Sequence, residues 1–143
     1  MTGDTASHRL HAHLIGQSGS RDRLNTPALL LDLAAFERNV ARMADFARQH
    51  GLALRPHAKS HKSADIARAQ IAAGAVGLCC AKLGEAEALA AEGIEGLHLT
   101  SPVVTPPAIA RLAALSRRLT SLSVVADHPD AVAARASAST AAG

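Results

Sequence analysis

Aromatic side chains are nearly absent from this sequence of 143 residues: Phe36 and Phe46 are the only two, and there is no tryptophan or tyrosine. Proteins that bind single-stranded nucleic acids stack the bases on aromatic rings, so the composition argues against such a surface. The formal net charge is only +3, and the basic residues are spread along the chain rather than gathered into a patch. We therefore predict no nucleic-acid partner.

Cysteine is as scarce, since Cys79 and Cys80 are the only two and are adjacent. Neighbouring cysteines rarely form a useful disulfide, and we interpret both as small buried hydrophobic residues. No cysteine and histidine spacing typical of a structural metal site occurs, and the N-terminal histidines His8, His11 and His13 follow no recognised ligand pattern. We predict no metal ligands in this chain.

Long apolar runs are missing as well. No stretch approaches the roughly 20 apolar residues of a membrane span. The N-terminus also lacks the apolar segment of a secretory signal peptide. We therefore predict a cytoplasmic protein with no membrane partner.

What the sequence does contain is a regular pattern of short apolar runs and amphipathic segments from Thr26 onward. Apolar residues make up 48% of the chain and charged residues 19%, which is enough for one globular domain with a core. We predict a polar, mobile leader over residues 1–25, one domain over 26–130 and a weakly helical tail rich in alanine and serine over 131–143.

Five strands and four helices follow from the periodicity, the N-cap candidates and the glycine stops. The predicted strands are 28–31, 52–59, 75–81, 97–101 and 121–126, and the predicted helices are 33–50, 63–73, 84–92 and 106–118. Short strands and helices that alternate in this way require a parallel sheet with right-handed crossovers.

The alternation fits either a doubly wound sheet or a (β/α)8 barrel. No glycine-rich nucleotide-binding motif follows the first strand, which weighs against the nucleotide-binding open sheets. Polar residues instead follow the strand ends, where barrels place their chemistry. These residues are Asp32, His57, Lys59, Lys82, Thr100, Ser101 and Asp127. We therefore predict an α/β fold, a partial (β/α)8 TIM-type barrel of about five βα units that is truncated before closure, because a full barrel needs eight strands.

The segment 55–62, with the sequence RPHAKSHK, is the most distinctive in the chain. In a strand over 52–59, Arg55, His57 and Lys59 share one face, and the apolar surroundings predict that this face lines an interior site. Desolvation and neighbouring positive charges disfavour an ammonium, and a neutral amine can attack a carbonyl, as a Schiff-base lysine does. The alternative is a solvated basic loop end.

This segment, together with several others, resembles the N-terminal part of the D-threonine aldolases. The other segments are 26–32 (TPALLLD), 37–39 (ERN), 74–77 (GAVG), 79–87 (CCAKLGEAE) and 99–104 (LTSPVV). The related D-serine dehydratases and the wider alanine racemase N-terminal domain superfamily, of fold type III among pyridoxal-phosphate enzymes, share the layout. The resemblance covers residues 26–130, which is less than half of a complete enzyme of this family.

The resemblance implies that Lys59 carries pyridoxal phosphate as a Schiff base. It makes His57 a second cofactor-binding candidate, with a satisfied core histidine as the alternative. The implied reaction is a lyase reaction that cleaves a small D-β-hydroxy-α-amino acid to glycine and an aldehyde. The alternatives are a D-serine dehydratase-like lyase, a non-catalytic remnant that binds pyridoxal phosphate or associates with other chains, and a sugar-phosphate barrel enzyme without a Schiff base.

The resemblance also implies parts that lie outside this sequence. Complete members of the family use a divalent metal, whose ligands are in a C-terminal β-domain, and form homodimers. We therefore expect this chain to be inactive alone. Within the chain, Arg55 is predicted to orient a strand-end carboxylate such as Asp32, and Lys82 is predicted to pair with Glu85 or Glu87.

Overall fold

The computed structural model describes residues 11–141, with side chains for residues 11–138. The chain divides into two compact units, Met1–Leu33 and Ala34–Gly143. His8 lies outside the described residues. The domain boundaries predicted near residues 25 and 130 stay predictions.

The first unit contains two short 3-10 turns, Ala12–Leu14 and Ser20–Arg23. The Gln17 side chain links them, since it donates to the His13 carbonyl oxygen at 2.7 Å and accepts from the Arg23 guanidinium at 2.8 Å. Local hydrogen bonds therefore connect the two turns.

The predicted strand over 28–31 is wrong. These residues belong to no ladder in the part of the chain that the structure describes, and Leu29, Leu30 and Leu31 are all exposed. An apolar run becomes a strand only where a neighbouring strand completes its hydrogen bonds. The composition of the run does not report whether that neighbour exists.

Two helices come first from Leu33 onward, and strands and helices alternate after them. The helices are α1 (Leu33–Gln49), α2 (Ala64–Ala72), α3 (Leu83–Ala91), α4 (Pro106–Ser116) and α5 (Pro129–Ala141), and the strands are β1 (Leu78–Cys80), β2 (Leu97–Leu99) and β3 (Leu122–Val124). Helices α1 to α4 confirm the four predicted helices, and the three strands confirm the last three predicted strands in shorter form. Within residues 11–141, no helix combines the length and the apolar character that crossing a membrane requires.

The three strands form a parallel sheet in the order β1–β2–β3. In register, Leu78 pairs with Leu97 and Leu97 pairs with Leu122. This arrangement confirms the predicted α/β class with a parallel sheet. Because the strands run in one direction, their last residues lie together at one edge, which we call the carboxyl edge.

The predicted strand over 52–59 is only partly correct. The Leu54 carbonyl oxygen accepts the Val76 N–H at 2.9 Å, and the Pro56 carbonyl oxygen accepts the Cys79 N–H at 2.7 Å. Pro56 has no N–H to give to a ladder, so regular pairing does not continue through it. The segment lies beside β1 as an extended stretch with a broken ladder.

The core lies between the sheet and the helices of the second unit. On one face of β1 and β2, Leu78, Cys80, Leu97 and Leu99 are completely buried. They share one cluster with helix residues Ala67, Ala86, Leu89, Ile109, Leu112 and Leu115. Burying a leucine side chain stabilises the fold by about 2 kcal/mol, so this face dominates the packing energy of the sheet.

Gly77 and Gly96 lie where the backbones that enter β1 and β2 approach closely. A Cβ atom on Gly77 would be 1.9 Å from the Gly96 carbonyl oxygen, and the φ angle of Gly77 is +141°. A Cβ atom on Gly96, whose φ angle is +70°, would be 2.6 Å from the Val76 carbonyl oxygen. The Leu78 N–H donates to the same Gly96 oxygen at 3.2 Å. Two glycines are therefore needed for the strands to pair from their first residues.

We expect Gly77→Ala to lower the free energy of unfolding by on the order of 3 kcal/mol, because the added methyl group forces backbone movement at a strained φ angle. Urea unfolding followed by circular dichroism measures the loss. Gly93 has a φ angle of +77° and open space around the Cβ position. Gly93→Ala should therefore lower the free energy of unfolding only by the cost of the strained φ angle, roughly 1–2 kcal/mol. Gly84→Ala, in α3 with open space around the Cβ position, should be neutral or stabilising by up to about 1 kcal/mol. Equal losses at Gly77 and Gly93 would contradict the close backbone contact.

Candidate active site

His57 and Lys59 lie at the carboxyl edge of the sheet. His57 forms an isolated parallel bridge with β1, after which the chain enters the 3-10 turn Ala58–Ser60. Ala58 is 1% exposed and anchors this turn in the core. Because Lys59 is on a turn and not on a strand, the prediction that it shares one strand face with Arg55 and His57 is wrong.

The face of the sheet opposite the core, which we call the inner face, carries one polar residue from each strand. Cys79 is in register with His98, and His98 is in register with Ser123. His98 Nδ1 and the Ser123 hydroxyl oxygen lie 2.8 Å apart. His98 and Ser123 were not identified from the sequence. The available signal was a single polar residue between two apolar residues in a short strand, since side chains alternate between the two faces of a sheet.

Lys59 is exposed, which corrects the prediction that it is buried in an interior site. Three strands and one bridged segment form only part of the wall that eight strands provide in a closed barrel, so the described residues leave the inner face open. Within residues 11–141, no carboxylate lies within ion-pairing distance of the Lys59 ammonium group. The amine is accessible and is not committed to a partner there.

The His57 imidazole connects the lysine turn to the ends of β1 and β2. The Lys59 backbone N–H donates to His57 Nδ1 at 3.3 Å, and His57 Nε2 lies 3.3 Å from Thr100 Oγ1. The Thr100 hydroxyl donates to the Cys80 carbonyl oxygen at 3.2 Å. Half-buried His57 thus has protein partners at both ring nitrogens.

The predicted pairing of Lys82 is wrong. Lys62 Nζ lies 3.6 Å from Glu85 Oε1, and Glu87 pairs with Arg111, whose Nε donates to Glu87 Oε1 at 2.9 Å. Lys82 is the exposed N-cap residue of α3 and has an extended backbone. Lys82 thus lies just before α3, and the two carboxylates on that helix pair with Lys62 and Arg111 instead.

Glu85 ties the end of β1 to the start of α3. Burial alone would raise the pKa of Glu85, whose side chain is 15% exposed. The N–H groups of Ala81 and Lys82 and the nearby Lys62 ammonium outweigh burial and hold the pKa below its usual value. The Ala81 N–H, one residue before the N-cap of α3, donates to Glu85 Oε2 at 2.9 Å, so this carboxylate holds the backbone that leads from β1 into the helix.

The prediction that Arg55 orients a strand-end carboxylate is wrong. Its guanidinium donates to the Gly96 carbonyl oxygen. Gly96 precedes β2, so this contact is at the end of the sheet opposite the carboxyl edge. Arg55 thus supports the entry into the strands.

The two cysteines differ in burial. Burial raises the pKa of the Cys80 thiol to about 11, with smaller contributions from Glu85 and Cys79. Cys80 therefore stays protonated near neutral pH, which confirms its interpretation as a buried hydrophobic residue. Cys79 is only half-buried on the inner face, and its thiol lies 3.5 Å from the Arg55 carbonyl oxygen. Within residues 11–141, no three histidine, cysteine, aspartate or glutamate side chains are grouped to hold a metal ion.

Comparison with known proteins agrees with the observed fold. The profile of the alanine racemase N-terminal domain family matches residues 31–142. The chain is 46% identical over 106 residues to the D-threonine aldolase of Arthrobacter sp., and the match covers 74% of this chain and 28% of that relative.

Two solved structures resemble the chain. The D-threonine aldolase from Filomicrobium marinum superposes with a TM-score of 0.80 at 44% identity, covering 83% of this chain and 32% of that chain. The D-threo-3-hydroxyaspartate dehydratase from Delftia sp. HT23 superposes with a TM-score of 0.76 at 36% identity, covering 84% of this chain and 31% of that chain. These likenesses confirm the prediction of an N-terminal barrel part. The chain spans under a third of the length of each relative.

We expect acid to weaken the native state of the wild-type chain more than that of Glu85→Gln. The folded pKa of Glu85 lies below the unfolded value of about 4.3. Its contribution to stability is therefore complete above that value and is lost as the pH falls through the folded pKa. The measurement is the free energy of unfolding in urea from about pH 7 to about pH 3. Glu87→Gln, which removes the partly exposed pair with Arg111, is the control and should change the pH dependence less than Glu85→Gln does. Parallel pH curves for wild type and Glu85→Gln would contradict the assignment.

Proposed function

The chain belongs to the alanine racemase N-terminal domain family, and on this premise we propose that it is part of a pyridoxal-phosphate-dependent lyase of D-threonine aldolase type. The lyase cleaves D-β-hydroxy-α-amino acids to glycine and an aldehyde. The observation that carries the proposal is the exposed amine of Lys59, which has no ion-pair partner within residues 11–141. It lies at the carboxyl edge of a parallel sheet, the edge at which barrel enzymes place their chemistry.

The surroundings of Lys59 fit an aldehyde cofactor. An aldehyde condenses with a primary amine that it can reach. Lys59 is exposed and has no ion-pair partner within the described residues, whereas Lys62 is paired with Glu85 at 3.6 Å. The open inner face of the sheet carries His98 and Ser123 as hydrogen-bonding groups, which a polar cofactor requires.

The chain contributes binding and orientation to this chemistry. Pyridoxal phosphate supplies an electron sink for the bonds at the α-carbon of an amino acid. Lys59 would hold the cofactor covalently, and the His57 ring accepts a hydrogen bond from the backbone of the turn that carries Lys59. His57 is thus proposed as a cofactor-site residue that acts through its hydrogen bonds.

A dehydratase is the second candidate function. The observation in its favour is the superposition on the D-threo-3-hydroxyaspartate dehydratase. Both reactions need the same lysine, so they are distinguished by product: glycine and an aldehyde for the aldolase, a keto acid and ammonia for the dehydratase.

The complete enzyme needs more than the residues described. A divalent metal and a homodimeric assembly belong to the proposal for the longer protein. Within residues 11–141 no three possible ligand side chains are grouped to hold a metal ion, so we propose that the metal ligands lie outside this range. The open inner face does not exclude water from Lys59. We therefore expect no turnover of D-amino acids by this chain alone.

We expect pyridoxal phosphate followed by borohydride reduction to label Lys59. The chain has three lysines, Lys59, Lys62 and Lys82, so peptide mapping by mass spectrometry can assign the label. Lys59 should dominate because its amine is exposed and has no ion-pair partner within the described residues, whereas Lys62 Nζ lies 3.6 Å from Glu85 Oε1.

Single arginine substitutions provide matched controls for the labelling. Lys59→Arg should abolish the dominant adduct, and Lys62→Arg and Lys82→Arg should leave it unchanged. The N-terminal amine is mapped as a separate peptide. Label spread evenly over the three lysines, or confined to the N-terminal amine, would reject a cofactor site at Lys59 and would also reject a cofactor-binding remnant.

A further inference from the structure

We propose that Thr100 is a positioning residue for Lys59 and acts through the His57 imidazole. The proposal rests on the proposed function in one respect, which is that Lys59 takes the cofactor. Thr100 follows β2, is separated from His57 by 43 positions in the sequence, and lies 3.3 Å from the His57 ring. Its effect on Lys59 is therefore transmitted by hydrogen bonds.

The direction of each hydrogen bond follows from the available protons. A carbonyl oxygen can only accept, so the Thr100 hydroxyl gives its single proton to Cys80 at 3.2 Å and turns a lone pair towards His57. Nε2 of His57 must then carry the ring proton. Nδ1 is left as an acceptor, and it takes the Lys59 N–H at 3.3 Å. The Thr100 contact and the Lys59 contact therefore require the same tautomer of His57, with the ring proton on Nε2.

These bonds join the lysine turn to two strands. The His57 ring caps the 3-10 turn Ala58–Ser60 by accepting from Lys59. Such a short turn has few internal hydrogen bonds, so one cap bond provides much of its order. Thr100 is itself fixed, because its backbone N–H also donates to the Cys80 carbonyl oxygen at 2.9 Å. The backbone of Lys59 is therefore positioned from the ends of β1 and β2.

The other side of the turn is held independently of His57. The Lys62 N–H donates to the Ala58 carbonyl oxygen at 2.8 Å. Loss of the His57 contact should therefore free the Lys59 amide and leave the Lys62 amide protected. The Lys62 amide provides an internal reference that separates positioning of Lys59 from general loosening of the turn.

Amide hydrogen exchange on the ¹⁵N-labelled chain tests the proposal without cofactor. Thr100→Val keeps the side-chain shape and removes the hydroxyl, and it should accelerate exchange of the Lys59 amide about fivefold, the effect of losing one ordinary hydrogen bond. The Lys62 amide should not change. Thr100→Ser retains the hydroxyl and should restore the wild-type rate. Ser123→Ala, which removes the hydroxyl beside His98, should change neither amide.

The rate of pyridoxal phosphate attachment to Lys59, trapped by borohydride, is the second measurement. It should fall about fivefold in Thr100→Val and recover in Thr100→Ser. An unchanged Lys59 amide in Thr100→Val would overturn the proposal, and so would equal acceleration of the Lys59 and Lys62 amides. The expected amide pattern without attachment to wild-type Lys59 would support the positioning contact and overturn the proposed cofactor role.

Discussion

Burial of one face of the short parallel sheet is the constraint on which the remaining structure depends. Leu78 and Cys80 of β1, and Leu97 and Leu99 of β2, are completely buried against the helices. Since side chains alternate along a strand, burying these residues directs Cys79 and His98 to the inner face and places Thr100 beyond the end of β2. The polar residues of the site are therefore arranged by apolar packing on the opposite side of the sheet.

The helices could be predicted because their signals are local. Gly51, Gly74 and Gly93 each have a positive φ angle just after a helix, as expected for glycines that end helices. Strands depend on partners that are remote in sequence. Residues 28–31 are as apolar as a buried strand but belong to no ladder within the described residues, and Pro56 interrupts the pairing of the lysine segment.

The candidate site was predictable only in part, for the same reason. The motif that contains His57 and Lys59 predicted that Lys59 lies at the carboxyl edge, and the structure places it there. Its burial was predicted wrongly, because the desolvation of a barrel lysine comes from strands on the far side of the inner face, and local sequence does not report them. The contact between His57 and Thr100 spans 43 positions and has no signal in either segment alone.

The central claim is that the amine of Lys59, presented at the carboxyl edge by the His57 contact, is the cofactor attachment point. Absorbance titration of the unreduced chain with pyridoxal phosphate tests it most directly, with Lys59→Arg and Lys62→Arg compared side by side. The account predicts one saturable equivalent of cofactor for the wild type and for Lys62→Arg, and loss of that saturable binding in Lys59→Arg. Equal binding by all three proteins would contradict it.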